Sequence, residues 1–436
     1  MSEWHFTPVL LLACMLLWAK FLAQGQMGGP VSQPAVSSVG GCVGTIATEQ
    51  TWVSPYWGYN TPKIVFDGSA YYTVGMRGPS PDEAEGIVYK YVDGTWIETA
   101  RLPGIYQPPT LLLDSQRRLI VLFTRNLKPV AIWRAKHPGD TGDFDVLPPP
   151  GDMPNAYYIG VAIDGAAIHL AYVRAYLDVP RGGQDYSMLY TRLDLDTLTW
   201  TPSHLVQAGQ ATTKPKTAWT YPVLVPGADG LHMIASNSPD GGEGNTYNRV
   251  EYLFYPRGST QPSVREVVAE GTIGHATYGY AMTVGADGTV HVLHLWNQAG
   301  YGPALPAGSA SPGVYHSWRP PGQVAWQHQP INWVNPRFYN DGRDVFAVGM
   351  KDKALQIRQW LPRTASWSAA EVLCTAESVP AGPAFMDVLR ASSGSVMTDG
   401  LALVADGRVQ ADASGKQPNL SWAILPPPPP QVQEQP

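Results

Sequence analysis

Residues 64–74 read Ile-Val-Phe-Asp-Gly-Ser-Ala-Tyr-Tyr-Thr-Val, with short apolar runs on either side of Asp67-Gly68. An apolar strand entering an Asp-Gly turn and a second apolar strand leaving it are the signature of a β-hairpin. The same pattern returns as Asp114-Ser115 before Leu119 to Phe123, Asp164-Gly165 before Ile168 to Val173, and Asp229-Gly230 before Leu231 to Ala235. Asp287-Gly288 and Asp341-Gly342 continue it, and a seventh copy falls at Ser393-Gly394 or at Asp399-Gly400.

The turn positions 68, 115, 165, 230, 288, 342 and 394 are spaced by 47, 50, 65, 58, 54 and 52 residues, enough for four short strands per repeat. After each hairpin comes a strand with a central aromatic, as in Val88-Tyr89-Lys90-Tyr91, Ile132-Trp133 and Leu189-Tyr190. A shorter fourth strand carries Trp96, Phe144, Trp200, Trp326 or Trp367, several of them in Thr-Trp pairs. The expectation is an all-β chain forming a single seven-bladed β-propeller of four-stranded blades over residues 43–425. Thr51-Trp52 precedes the first hairpin and has no earlier strand to pair with. The segment around 43–53 is therefore expected to complete the last blade beside Leu420 to Leu425, closing the ring and covering its edge.

Composition agrees with that architecture. Charged residues are only 15% of the 436, and 44 Gly and 41 Pro accompany 15 Trp and 22 Tyr, as many short strands and tight turns require. A net charge of -6 without Lys/Arg runs gives no basic face for nucleic acid. Residues 1–30 contain the apolar run Val9 to Ala19 and read as a signal peptide or an uncleaved membrane anchor. Leu11-Leu12-Ala13-Cys14 also resembles a lipobox. Residues 31–42 read as a linker and 426–436, opening with Pro426 to Pro430, as a proline-rich tail expected to be disordered. The protein is thus expected outside the cytoplasm, secreted or in the cell envelope, with membrane contact only through the leader if it is retained. There Cys42 and Cys374 are free either to pair across the closing blade or to remain separate thiols.

Loops entering the first strands gather on one face of a propeller. They hold Trp57, Tyr59 and Asn60, Tyr106 and Gln107, Tyr158, Trp219 and Tyr221, His275 and Tyr278, and Asn335 with Arg337. Rings stack on sugars and amides bond hydroxyls, although the same rings also suit the wedges between blades. Nine or ten residues beyond the turn positions stand Arg77, Arg125, Arg174, Asn297 and Lys351, either a local positive ring for carboxylates or sulfates or a repeated solvated turn. His169, His232 and His291 follow the turns at repeat positions and read as structural. His275 and His294 are expected at loop ends on the functional face, where an imidazole can move a proton. No metal-ligand spacing, phosphate-binding glycine loop or nucleophile elbow occurs, so no cofactor is expected. Asn419-Leu420-Ser421 fits the glycosylation tripeptide but falls in an expected strand.

The repeats resemble those of the sialidase-like, or BNR-repeat, propellers, whose copies join an Asp-Gly turn to an outer Thr-Trp. Gly139-Asp140-Thr141-Gly142 and Asp93-Gly94-Thr95-Trp96 are shortened versions of that family's Asp box. Thr61-Pro62-Lys63 lacks the arginine that true sialidases place beside the first innermost strand's proline, and seven repeats exceed their six. Seven-bladed relatives include lyases acting on uronate-containing chains. That resemblance implies a carbohydrate-active protein acting on or binding an acidic or neutral glycan, as a polysaccharide lyase or a sialidase-like hydrolase. In the lyase reading Arg125, Arg174 and Arg337 would neutralise the uronate, His275 or His294 would act as base, and Tyr221 or Tyr278 would donate to the leaving oxygen. A non-catalytic propeller binding glycan or protein is the alternative.

Overall fold

The computed structural model describes residues 44–57, 60–80, 82–125, 128–156, 158–165, 167–175, 186–209, 219–237, 247–272, 275–298, 308–352, 354–375, 385–397, 400–408 and 419–424. The segments expected as leader and linker, with Cys42, lie outside them, as do Tyr59 and the proline-rich tail. Seven small antiparallel sheets account for the strands, five with four strands and two with a fifth short one. The chain is a seven-bladed β-propeller.

Each turn aspartate explains its own hairpin. Asp67 Oδ1 accepts the backbone N–H groups of Ser69 and Ala70 at 2.7 and 2.8 Å while Oδ2 takes the Tyr72 hydroxyl at 2.7 Å, and Gly68 supplies the positive φ of 101°. In blade two Asp114 caps Gln116 and Arg118 and pairs with the Arg118 guanidinium at 2.8 Å. In blades three and four the partner is histidine: His169 lies 3.2 Å from Asp164 and His232 lies 3.5 Å from Asp229. These two histidines also meet Tyr190 and Tyr252 hydroxyls at 2.7 and 2.8 Å, so their recurrence holds hairpins to third strands.

Strand alternation explains the radial packing. Leu111 and Leu113 face blade one while Leu112 faces blade three, because successive side chains leave opposite faces of a strand. Seven apolar clusters result, each filled from two neighbouring blades, and the last joins blade seven to blade one through Ile46, Ile64 and Val404. Inner strands such as Ile64–Phe66, Thr110–Leu113 and Leu119–Phe123 are therefore buried on both faces, while outer strands such as Phe144–Leu147 carry exposed residues. First strands meet around the axis, beginning with Ile64–Phe66, Thr110–Leu113 and Ile159–Asp164. Trp219–Pro226, Ala276–Val284, Val334–Asn340 and Phe385–Val388 complete the circle.

Closure is by the N-terminal strand, with Gly44–Glu49 pairing antiparallel to Asn419–Ile424 in blade seven. The Thr51-Trp52 pair is not part of that strand; Thr51 instead makes an isolated parallel bridge to Gly78. Asn419 donates through Nδ2 to Thr51 Oγ1 and is 8% exposed, so the glycosylation tripeptide is folded into the seam.

Two turns depart from expectation. Blade four turns at residues 227–229, with Gly227 N–H bonded to Gly230 O at 2.7 Å and Gly230 already in the second strand. In blade seven Ser393-Gly394 does not join the first two strands as a hairpin, because Val388 pairs with Leu403 and the site falls in the excursion between them; Asp399 of the other candidate lies outside the described residues. That excursion carries a short 3-10 turn at Ala391–Ser393 and crosses the axis. Val396 N–H bonds Phe66 O at 2.9 Å in blade one, and Arg117 of blade two donates to Gly394 O at 3.1 Å. A Cβ on Gly394 would lie 2.0 Å from Leu113 O, so glycine is required where the excursion presses on blade two. The turn-side end of the channel is thereby occupied by the protein's own backbone.

Candidate functional site

The opposite end of the channel is the face where the first strands begin and the second strands end. An aromatic arc runs across it. Trp57 meets Tyr158 with ring centroids 6.1 Å apart, Tyr158 meets Tyr221 at 5.0 Å, and Tyr221 meets Tyr278 at 5.9 Å. Tyr278 meets Tyr280 at 6.5 Å, and the Arg337 guanidinium lies 5.1 Å from the Tyr280 ring centre. Blades one, three, four, five and six thus contribute to one chain of ring contacts. Tyr158 and Tyr278 are half-buried, whereas Trp57, Tyr221 and Tyr280 are nearly covered.

A small cleft, with room for about one water molecule, lies at the blade one end of this wall. Trp57, Asn60, Lys63, Gln107, Thr124 and Tyr158 are among its lining residues. Asn60 is set by two carbonyls, donating to Ile159 O at 2.7 Å and Pro222 O at 2.9 Å. Lys63 is fully buried, and its Nζ donates to Pro108 O at 3.1 Å and Pro109 O at 2.8 Å. Burial pushes its amine down to about 7; the Asp387 carboxylate opposes that shift and Arg390 adds to it. Asp387, itself fully buried, accepts the Lys63 backbone N–H at 2.7 Å and the Arg390 guanidinium.

The cations expected as a ring share a topological level but not a role. Arg77 ends its strand bound to Glu49 at 2.6 Å and Glu98 at 3.1 Å, which neutralise it on the outer side of the blade. Asn297 is 1% exposed with φ 50°, and its side chain accepts from Thr272 N–H and donates to Ala310 O, each at 2.8 Å, which makes it a loop clamp. Arg125 follows the cleft residue Thr124, is half-buried, and keeps its Nε buried with no hydrogen-bond partner among the described residues. Arg174 and Lys351 are half-buried at the ends of second strands. Arg337 is 1% exposed at the axis, donating to Met386 O and Pro336 O at 2.8 Å.

The two histidine candidates separate. His275 stands just before the first strand of blade five on the mouth side, 7% exposed. His294 is not at a loop end: it sits inside the second strand, fully buried, bonded through Nε2 to Ser317 Oγ at 2.7 Å. Burial holds it down to about 3, so it is neutral and shielded from the mouth. Tyr106 packs on Trp52 at 5.6 Å, and the Trp219 backbone pairs with Asn237 in blade four. Cys374 is disulfide-bonded at 4% exposure, and its partner lies outside the described residues. Among the described residues no group of three or more His, Cys, Asp or Glu side chains could hold a metal ion.

Sequence reasoning named Tyr158, Tyr221, Tyr278 and Arg337, which the fold joins in one wall. It passed over Lys63, whose only visible signal was a cation next to Pro62 at the start of the first innermost strand.

Neither a family model nor a curated protein matches the sequence. Among solved structures the chain is similar to the polysaccharide lyase Uly1, with TM-score 0.55 and 10% identity over 92% of this chain and 95% of that one. It is also similar to an oligogalacturonate lyase in complex with manganese, at TM-score 0.49 and 12% identity over 91% and 96% of the two chains. The α-L-arabinofuranosidase of Fusarium graminearum with arabinobiose gives TM-score 0.43 and 12% identity over 72% and 91%. At such identities the likeness is one of fold.

Proposed function

We propose that this chain is an exported carbohydrate-acting propeller of the sialidase-like group whose mouth face receives an acidic polysaccharide. The observation carrying the proposal is the wall from Trp57 through Tyr158, Tyr221 and Tyr278 to Arg337, a row of rings ending in a guanidinium. Sugar rings present C–H faces to aromatic rings and hydroxyls to amides such as Gln107, while a uronate carboxylate needs a cation where water is scarce. Arg337 and Arg125, with Arg174 and Lys351 further out, are the cations assigned to that task. Tyr221 and Tyr278 are the hydroxyl donors for a leaving oxygen, and His275 is the imidazole at the mouth. The polysaccharide lyase among the structural neighbours supports this reading at the level of fold, and the disulfide at Cys374 supports an oxidising compartment.

The test is incubation with polygalacturonate, alginate and hyaluronate, and with neutral arabinan and dextran as controls. Binding and the absorbance of unsaturated product are both followed. An acidic polymer is expected to bind, with affinity falling as salt rises, and Tyr158→Ala should weaken it by about tenfold. Unsaturated product identifies a lyase, binding without product identifies a binding propeller, and preference for the neutral polymers refutes the acidic assignment.

A further inference from the structure

We infer that Asn60 is a positioning residue of the mouth, the side chain whose amide holds Tyr158 and Tyr221 in place for a sugar. The inference rests on the reading of this face as a glycan site and names what keeps that site in shape. Asn60 is 3% exposed, and its Nδ2 group donates one proton to Ile159 O at 2.7 Å and the other to Pro222 O at 2.9 Å. Two carbonyl acceptors fix which end of the amide faces them, because an amide oxygen there would be repelled. Ile159 and Pro222 belong to the first strands of blades three and four. A loop of blade one thus reaches past blade two and ties the next two innermost strands together. Each carbonyl belongs to the residue that follows a tyrosine of the arc, Tyr158 or Tyr221, and those two rings stand 5.0 Å apart. Trp57 of the same loop meets Tyr158 at 6.1 Å, so one short segment supplies both a ring and the clamp.

Tyr221 shows why a clamp is needed. Its φ is 50°, in the left-handed region that bulky side chains avoid. Blade six repeats the local structure: Asn335 also has φ 50°, precedes Pro336 as Tyr221 precedes Pro222, and stands at the corresponding break in strand register. Asparagine suits that conformation and tyrosine does not, so blade four keeps its ring at a backbone cost. Such a residue holds its conformation only where its surroundings over-determine it. Pro222 O, one residue on, is held by the Asn60 amide and closely approached by Gly160, where a Cβ would lie 2.1 Å away. Tyr158, Tyr247 and Tyr278 flank the Tyr221 ring at 5.0, 6.1 and 5.9 Å. Without the amide that packing remains, but the bond fixing Pro222 to Ile159 is gone and Tyr221 can relax away from Tyr158. Asn60 therefore acts on a ligand through the two rings.

The experiment compares wild type, Asn60→Ala, Tyr158→Ala, the double variant and Asn340→Ala for melting temperature and for affinity toward the acidic polymer that wild type binds best. Asn340 is the control: its Nδ2 likewise joins two first strands, donating to Thr283 Oγ1 at 3.0 Å and Val284 O at 2.8 Å, but at the turn-side end of blades five and six. Asn60→Ala is expected to weaken binding about tenfold, while Asn340→Ala, at a similar loss of melting temperature, stays within about twofold of wild type. Because Asn60 acts partly through Tyr158, the double variant should fall well short of the ~100-fold loss that independent sites would give. Near-ultraviolet circular dichroism reads the packing of the rings without ligand and should change in Asn60→Ala but not in Asn340→Ala. Asn60→Gln carries both donors one methylene further out, displaces the same carbonyls, and is read in the same way should the truncated variant not fold. An Asn60→Ala affinity within about twofold of wild type, or single losses that multiply in full in the double variant, overturns the inference. Wild type that binds no acidic polymer overturns the reading of the mouth itself, and the inference with it.

Discussion

Gly160 shows how little room the axis leaves at the level of single atoms. It lies in the first strand of blade three, and a Cβ there would sit 2.1 Å from Pro222 O of blade four. That oxygen also accepts the Asn60 amide, so the contact is shared with the cleft. Gly160→Ala must push the two first strands apart. It is expected to cost about 1–3 kcal/mol of stability, read as a lower chemical-denaturation midpoint, and to weaken ligand binding because Asn60 loses its seat. An unchanged midpoint would mean that the strands separate freely. By contrast Gly94, with φ 81° and nothing near its missing Cβ, is needed for backbone conformation alone.

Blade five is the element most sensitive to acid. Its second strand, Val290–Gln298, carries His291 and His294, its third carries His316, and its outer strand carries His328. His291 Nδ1 and His316 Nε2 are 3.0 Å apart among Phe338, Trp360 and Trp367, a pairing that needs one ring to accept. Burial brings His291 down to about 4 and His294 to about 3, and holds His316 well below the usual range. A lowered folded-state value means that the unfolded chain binds protons first as pH falls. Stability is therefore full above the ordinary histidine value near 6.5 and is lost progressively between there and about 4. The loss is on the order of 3 kcal/mol for each of His291 and His294 by pH 4, which makes blade five an early point of failure in acid. Thermal melts from pH 7.5 to 4 should show a steep fall below 6.5, and His294→Phe should flatten it; a flat profile in wild type refutes the account.

At the scale of the molecule, the ring depends on its seam. Blade seven takes its outer strand from the N-terminal end of the propeller, and Ser54 donates to the buried Asp406 just beyond that strand. Cys374 ends the outer edge of blade six at Glu371–Cys374, beside this closing blade. Of the other two cysteines, Cys42 stands two residues before the closing strand and Cys14 within the apolar run Val9 to Ala19. We expect Cys42 to be the partner. Peptide mapping under non-reducing conditions should recover the Cys42–Cys374 pair, and Cys374→Ser should lower stability by about 2–5 kcal/mol, an effect that reduction of wild type reproduces. A recovered Cys14–Cys374 pair would place the leader against the propeller instead.

The repeat was legible because its causes are local. An aspartate caps the turn it belongs to, a glycine accepts positive φ, and apolar residues run unbroken along the short inner strands, so all three can be read within ten residues of Asp67, Asp164 or Asp287. Blade count and closure followed, since the repeats leave one strand without a partner before the first hairpin and the last blade one strand short. The seventh turn was not legible, because the excursion after Val388 is shaped by Phe66, Leu113 and Arg117 on other blades rather than by its own turn chemistry. The site divided in the same way. Aromatic and basic positions could be listed along the chain, but Arg77 is spent on Glu49 and Glu98, Asn297 clamps a loop, and His294 is enclosed by Ser317. Lys63 acquired its neutral-prone amine from Pro108, Pro109 and an already occupied Asp387. Desolvation and charge pairing depend on what surrounds a group in space, and a propeller draws those surroundings from blades hundreds of residues apart; strand period and turn conformation depend on neighbours in the chain.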